Sequence, residues 1–189
     1  GQGQVPSRQA AFNGGRPMGV PSININKVCR SGLNSIYLAN QMIMSGEADI
    51  VIAGGMESMT NAPYLAQGAR GGFRYGNTEL QDAIIRDGLW CAFDACLMGL
   101  GTERYAAGNI TRDQQDDMAM KSNVRAAAAI AEGRLTDEIV PVVIPQRKGD
   151  PTVVATDEGV RGNTTMESLC GLKPAFDKER TITAANASQ

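Results

Sequence analysis

A chain of 189 residues, 42% of them hydrophobic and 20% charged, has the size and apolar content of one compact unit or one and a half small ones. Its formal net charge of -2, with acidic and basic residues interspersed, argues against a basic stripe for nucleic acid or a polybasic membrane patch. Its apolar runs fall well short of the ~20 residues needed to cross a bilayer, and the polar, Gly-rich first ten residues do not read as a signal peptide, so a soluble, cytoplasmic protein is the expectation.

In chain order, residues 5–14 read as a short helix, with Pro6 in its first turn and Gly14-Gly15 as its stop. Residues 20–28 carry β-branched side chains at alternating positions, Ile23 and Ile25, and predict a strand. Leu33, Ile36, Ala39, Asn40 and Ile43 at helical spacing predict a helix over about 31–45, closed by Gly46. Residues 48–53 are a nearly continuous apolar run ended by Gly54-Gly55, the pattern of a strand buried on both faces in a parallel sheet. Strand, helix and strand within about forty residues make a βαβ unit.

Beyond residue 60 the texture becomes loop-rich, with helices expected over about 78–89 and from Thr111 to Gly133. Thr111 followed three residues later by Gln114 is a capping-box pattern. Short strands are expected over 138–144 and 152–155, separated by the turn Lys148-Gly149-Asp150-Pro151, and a last strand over 181–185. The expected organisation is a core piece over 1–59, a loop-rich insertion over 60–179, and residues 180–189 returning to the core. The fold class is α/β.

Two residue types narrow the chemistry. There is no histidine, which removes Ser-His-Asp and Cys-His catalysis within these residues and most zinc sites. The four cysteines, Cys29, Cys91, Cys96 and Cys170, contain no C-x-x-C pair and have no secretory context, so neither a disulfide framework nor a metal site is expected. Cys29 falls where the first strand should end and the 31–45 helix begin. A helix start presents free N–H groups and the positive end of the helix dipole, a setting that favours a thiolate. The competing reading is a small buried apolar residue, which is how most free cysteines behave.

The string Asn26-Lys27-Val28-Cys29-Arg30-Ser31-Gly32-Leu33 resembles the acyl-enzyme segment of thiolases, roughly N-K-V-C-G-S-G-L. Gly54-Gly55-Met56-Glu57-Ser58-Met59 with Asn61-Ala62-Pro63 is similar to the family's G-G-M-E-S-M-S-x-A-P. Further counterparts are Asp87-Gly88-Leu89, Met98-Gly99, Asp137-Glu138-Ile139-Val140-Pro141, Arg147-Lys148-Gly149-Asp150, Leu172-Lys173-Pro174-Ala175-Phe176 and Thr183-Ala184-Ala185-Asn186-Ala187-Ser188. They occur in the family's order along all 189 residues.

The resemblance implies a partial thiolase-like α/β/α layered core with an inserted loop-rich subdomain. It also implies an acyl-CoA acyltransferase in which Cys29 forms an acyl-enzyme, either condensing two acyl-CoAs or cleaving a 3-ketoacyl-CoA with CoA. Matching positions for CoA binding are Arg161 near the nucleotide end, Ser168 in the same loop, and Met98, Phe176 and Ser188 along the pantetheine channel. Coenzyme A is then substrate and product, no resident cofactor or metal is implied, and family members are homodimers or tetramers. Each contact has a structural alternative: Arg161 as a solvated charge, Ser168 as a helix cap, Met98 and Phe176 as core.

The departures also carry expectations. Arg30 stands where the family has a small or apolar residue, Leu97 where some members have histidine, and Ala185 where a glycine is usual. The family's activating G-H-P histidine and second C-G-G cysteine find no counterpart here. The chain opens without Met and stops just past the 181–185 segment, so it reads as an N-terminal-half fragment that acylates at most and does not turn over. The alternative class is a non-catalytic, thiolase-like acyl-CoA or lipid-binding protein.

Overall fold

The computed structural model describes residues 2–187, which mix helices with short strands as an α/β chain. Two compact units divide it, Gly1–Trp90 and Cys91–Gln189.

In the first unit, α1 (Pro6–Asn13) starts on Pro6, whose missing N–H costs nothing at that position, and stops at Gly14. The segment after it is not the strand expected over 20–28. Its polar groups are taken by α1 side chains instead. Arg8 donates to the carbonyls of Met18 and Val20, and Ser7 Oγ donates to Asn24 Oδ1 at 2.8 Å. α2 (Ser31–Met44) forms as its periodicity predicts and ends before Gly46, whose φ of 75° closes the helix without a Cβ penalty.

The run over 48–53 is likewise unpaired, so the βαβ unit is absent among the described residues. A strand is completed by its neighbours, and here no described strand supplies them. Ile50 and Ile52 are 87% and 81% exposed, contrary to the expectation of burial on both faces.

β1 (Tyr64–Leu65) and β2 (Gln81–Asp82) pair antiparallel, Tyr64 opposite Asp82. The helix expected over 78–89 is reduced to a π-helical turn, Ile84–Leu89. β2 occupies the front of that window, and Asp82 Oδ1 caps the turn by accepting the Ile84 N–H at 2.8 Å.

β3 (Trp90–Cys91) pairs with β4 (Cys96–Leu97). In the second unit, α3 (Met98–Ala106) follows β4 directly. α4 (Arg112–Ala131) has both halves of the capping box: Gln114 N–H donates to Thr111 Oγ1 at 3.2 Å and Thr111 N–H to Gln114 Oε1 at 2.9 Å. β5 (Val142–Ile144) and β6 (Thr152–Val154) form the expected antiparallel hairpin. A short α5 (Met166–Cys170) carries a second capping box, between Thr165 and Ser168.

The centre of this unit is partly polar. Glu103, Asp116 and Thr183 are at most 1% exposed, alongside Ala106, Ala119, Leu169 and Ile182. Glu103 explains why 181–185 is not a strand. Its carboxylate accepts the N–H groups of Thr181 at 3.2 Å and Ile182 at 2.7 Å, which a ladder partner would otherwise take. Among the described residues a single bridge, Pro174 opposite Thr183, is all the pairing that remains in this segment, and the chain then turns at Asn186.

Candidate active site

Cys29 is exposed on a tight corner that leads into α2. Val28, just before it, has φ 51°, a conformation that a β-branched residue adopts only under constraint. The constraint is local. Val28 N–H donates to Asn26 Oδ1 at 2.9 Å, Ser31 Oγ accepts the Lys27 N–H at 2.9 Å, and the same hydroxyl donates to the Val28 carbonyl at 2.7 Å. Arg30 and Ser31 close the corner with backbone bonds back to Lys27 and Val28, both 3.1 Å. The amides of Gly32 and Leu33, next in the first turn of α2, have no acceptor among the described residues.

The Gly54-Gly55 segment is packed on this first turn. A Cβ built on Gly55 would lie 3.3 Å from Gly32 Cα, and one on Gly32 would lie 3.7 Å from Gly55 N. Ser35 Oγ lies 2.6 Å from the Gly32 carbonyl and 3.0 Å from the Gly54 carbonyl, linking the two segments. The turn that follows the N-K-V-C string and the start of the G-G-M-E-S-M string are thus packed together, through Ser35 and Gly54, which are 19 residues apart in sequence. Arg30 is exposed and pairs with no carboxylate among the described residues.

The other expected site residues belong to the second unit. Met98 opens α3, 49% exposed. The Phe176 ring covers the next residue, Gly99, so closely that a Cβ there would meet ring carbons at 2.1–2.4 Å. Met98 and Phe176 are therefore brought to the same helix start. Met98, but not Phe176, also lines an open cavity of about 230 Å³ together with Asp94, Gly101, Thr102 and Tyr105.

Arg161 is held by its backbone, its N–H donating to Asn123 Oδ1 at 2.9 Å, while its side chain is exposed. Gly162 fits against Ala127 of α4, where a Cβ would lie 2.6 Å from the Ala127 Cβ. Ser168 uses its hydroxyl in the α5 capping box: it donates to the Thr165 carbonyl at 2.7 Å and accepts the Thr165 N–H at 3.1 Å. Ser188 lies outside the described residues.

Sequence reasoning did not single out the buried polar cluster that holds residues 181–187. Asp116 Oδ2 accepts from Arg112 Nε at 2.6 Å, and Asp116 Oδ1 from Asn186 Nδ2 at 2.8 Å. Asn186 Oδ1 in turn accepts the Thr183 N–H at 2.7 Å. Gln115 Nε2 donates to Thr181 Oγ1 at 2.8 Å, and Arg112 Nη2 reaches the Leu169 carbonyl at 2.7 Å. A signal was present in α4, whose buried positions Asp116, Ala119 and Asn123 fall at helical spacing yet are polar or small. Among the described residues, no group of three or more cysteine and carboxylate side chains converges to hold a metal. No helix of the described residues is long and apolar enough to cross a membrane.

Comparison with known proteins bears on the same residues. The family model "Thiolase, N-terminal domain" matches residues 1–189. An acetyl-CoA acetyltransferase of Cupriavidus necator is 52% identical over 189 residues, covering 100% of this chain and 48% of the relative. A probable acetyl-CoA acetyltransferase of Mycolicibacterium smegmatis is 52% identical over 190 residues, 49% of its own length. Among solved structures, an acetyl-CoA acetyltransferase from Syntrophomonas wolfei superposes with a TM-score of 0.92 at 39% identity, over 98% of this chain and 47% of that one. The acetyl-CoA acetyltransferase of Bacillus anthracis does so with a TM-score of 0.88 at 36% identity, over 95% and 45%. The chain spans about half the length of the relatives it matches.

Proposed function

The chain belongs to the thiolase family, in its N-terminal domain, and from that premise we propose that Cys29 is the residue on which an acyl group is carried. The observation behind this reading is the corner itself: an exposed thiol after a left-handed valine, at a helix start whose Gly32 and Leu33 amides have no acceptor among the described residues. A helix start of this kind presents free amides and the positive end of the helix dipole to whatever group occupies the corner.

In the proposed reaction, Cys29 Sγ adds to the thioester carbonyl of an acyl-CoA, and the bond from that carbonyl to the CoA sulfur breaks. CoA leaves with the proton that Cys29 gave up, and the acyl group stays on Cys29 as a thioester. Transfer to a second acyl-CoA or to free CoA completes condensation or cleavage. That half of the cycle needs a base to form the enolate or the CoA thiolate. The 189 residues contain no histidine, so they alone are proposed to acylate once and stop.

The CoA contacts are proposals of the same standing. Met98 is supported by its place at the α3 start on the wall of an open cavity, and Phe176 by its packing on Gly99 at the same helix start. Arg161 is supported by an exposed guanidinium on an anchored backbone, suited to a phosphate. Ser168 has the weakest support, because its hydroxyl is engaged in the cap. Ser188 rests on its place in the family's motif alone. Residues 60–179 are proposed as the stretch that carries most of this surface, and the full protein as a homodimer or tetramer.

The test is Cys29→Ala in the full-length parent protein, assayed for CoA-dependent cleavage of a 3-ketoacyl-CoA. Loss of kcat of about a thousandfold or more is expected. Retention of activity would move the acyl group elsewhere and leave a CoA-binding role as the better reading.

A further inference from the structure

We propose that Cys91 and Cys96 are a reversible thiol–disulfide pair that pins the hairpin entering α3. β3 and β4 are two residues each, and Cys91 and Cys96 are separated by the four turn residues 92–95. A connection that short joins strands only antiparallel. Two paired residues per strand then set Cys91 opposite Cys96. Directly opposed residues in an antiparallel pair have Cα atoms about 4.5–5.5 Å apart, inside the range a disulfide spans. Their side chains also leave the sheet on the same face.

The two thiols are unequally placed. Cys91 is half-buried, lies 3.5 Å from Asp94 Oδ2, and accepts the Asp94 N–H at 3.4 Å. Cys96 is 7% exposed, with Arg104 Nη1 3.7 Å from its sulfur. The accessible Cys91 thus meets an incoming small-molecule disulfide first, and Cys96 resolves it.

In the first step Cys91 Sγ attacks one sulfur of the small disulfide. A mixed disulfide forms and one small thiol leaves, taking the Cys91 proton. In the second step Cys96 Sγ attacks Cys91 Sγ and releases the other small thiol with the Cys96 proton. Two protein thiols are oxidised and one small disulfide is reduced to two thiols, with no other reactant. Closure fixes the loop carrying Asp94, which lines the same cavity as Met98. The pair does not depend on acyl transfer at Cys29.

The test is to equilibrate the folded chain with oxidised and reduced glutathione, block remaining thiols with iodoacetamide, and digest with trypsin. Cleavage after Arg86 and Arg104 places both cysteines in one peptide, Asp87–Arg104. The expected result is that peptide lighter by two hydrogens and unalkylated, restored by a reducing thiol. It should close more readily in the folded chain than in the same chain in guanidinium chloride. In Cys96→Ser, a glutathione adduct should accumulate on Cys91. Two alkylated thiols at equilibrium, separate glutathione adducts on both, or closure no more favourable folded than unfolded would each overturn the proposal.

Discussion

Gly32 and Gly55 approach so closely that a Cβ on Gly55 would sit 3.3 Å from Gly32 Cα. The contact is backbone against backbone, with no flexible side chain to yield. Gly55→Ala is therefore expected to overpack the first turn of α2 and cost about 1–3 kcal/mol. Gly54→Ala, with nothing within 4 Å of its Cβ position, is expected to be near neutral. Urea denaturation of the two variants side by side checks this. Equal shifts in midpoint would show that the Gly32 contact does not matter.

Val28 holds φ 51° just before Cys29. A left-handed conformation costs an L-residue about 1–2 kcal/mol, which glycine avoids at an entropic cost of about 0.5–1 kcal/mol. Val28→Gly is thus expected to leave stability unchanged within about 1 kcal/mol while slowing acylation of Cys29, because the corner loosens. Ser31→Ala removes two hydrogen bonds from the same corner and is expected to lose about 1 kcal/mol and slow acylation as well. Single-turnover acylation rates, read beside denaturation curves, separate the two effects.

Asp116 is fully buried between Arg112 and Asn186. Asp116→Ala leaves the Asn186 amide without its buried acceptor, while Arg112, its side chain 23% exposed, keeps the Leu169 and Leu172 carbonyls. A cost of about 2–4 kcal/mol is expected, a large share of a typical domain's stability of about 5–15 kcal/mol. Glu103→Gln keeps the shape but turns an amide donor toward the Thr181 or Ile182 N–H, and a smaller loss of about 1–3 kcal/mol is expected. Circular dichroism in urea reads both. A neutral Asp116→Ala would mean that the cluster does not hold residues 181–187.

The Phe176 ring occupies the space a Gly99 side chain would need. Gly99→Ala should cost about 1–3 kcal/mol by overpacking, and less when Phe176 is also replaced by alanine. A double-mutant cycle measures the coupling, expected at roughly 0.5–3 kcal/mol for residues in contact. Additive losses would separate the two residues.

Features fixed by neighbours in sequence were readable before the structure. Thr111 and Gln114 cap α4 because both halves of a capping box lie within four residues, and the 142–144/152–154 hairpin carries its own turn. The strands over 20–28 and 48–53 were not, because an extended segment becomes a strand only when a neighbour accepts its hydrogen bonds. The carboxylate of Glu103 displaced the strand over 181–185 from 78 residues away, a relation that no local pattern encodes. The place of Cys29 just before α2 was legible in the sequence, but the left-handed Val28 ahead of it leaves no mark on composition or period. The polar interior built on Asp116 and Asn186 was hidden for a related reason. A charged residue in a helix is read as solvent-facing until its partners are known.

In the proposed reaction Cys29, and no other thiol, takes an acyl group from CoA. Cys170 is also exposed and serves as the internal control. The 189-residue chain is incubated with acetyl-CoA, digested with trypsin, and the acetyl group is located and timed by mass spectrometry. The expected result is rapid, hydroxylamine-sensitive acetylation of the peptide Val28–Arg30, with a single release of CoA per chain and slow labelling of Cys170. Labelling of Cys170 as fast as Cys29, or continued release of CoA, would contradict it.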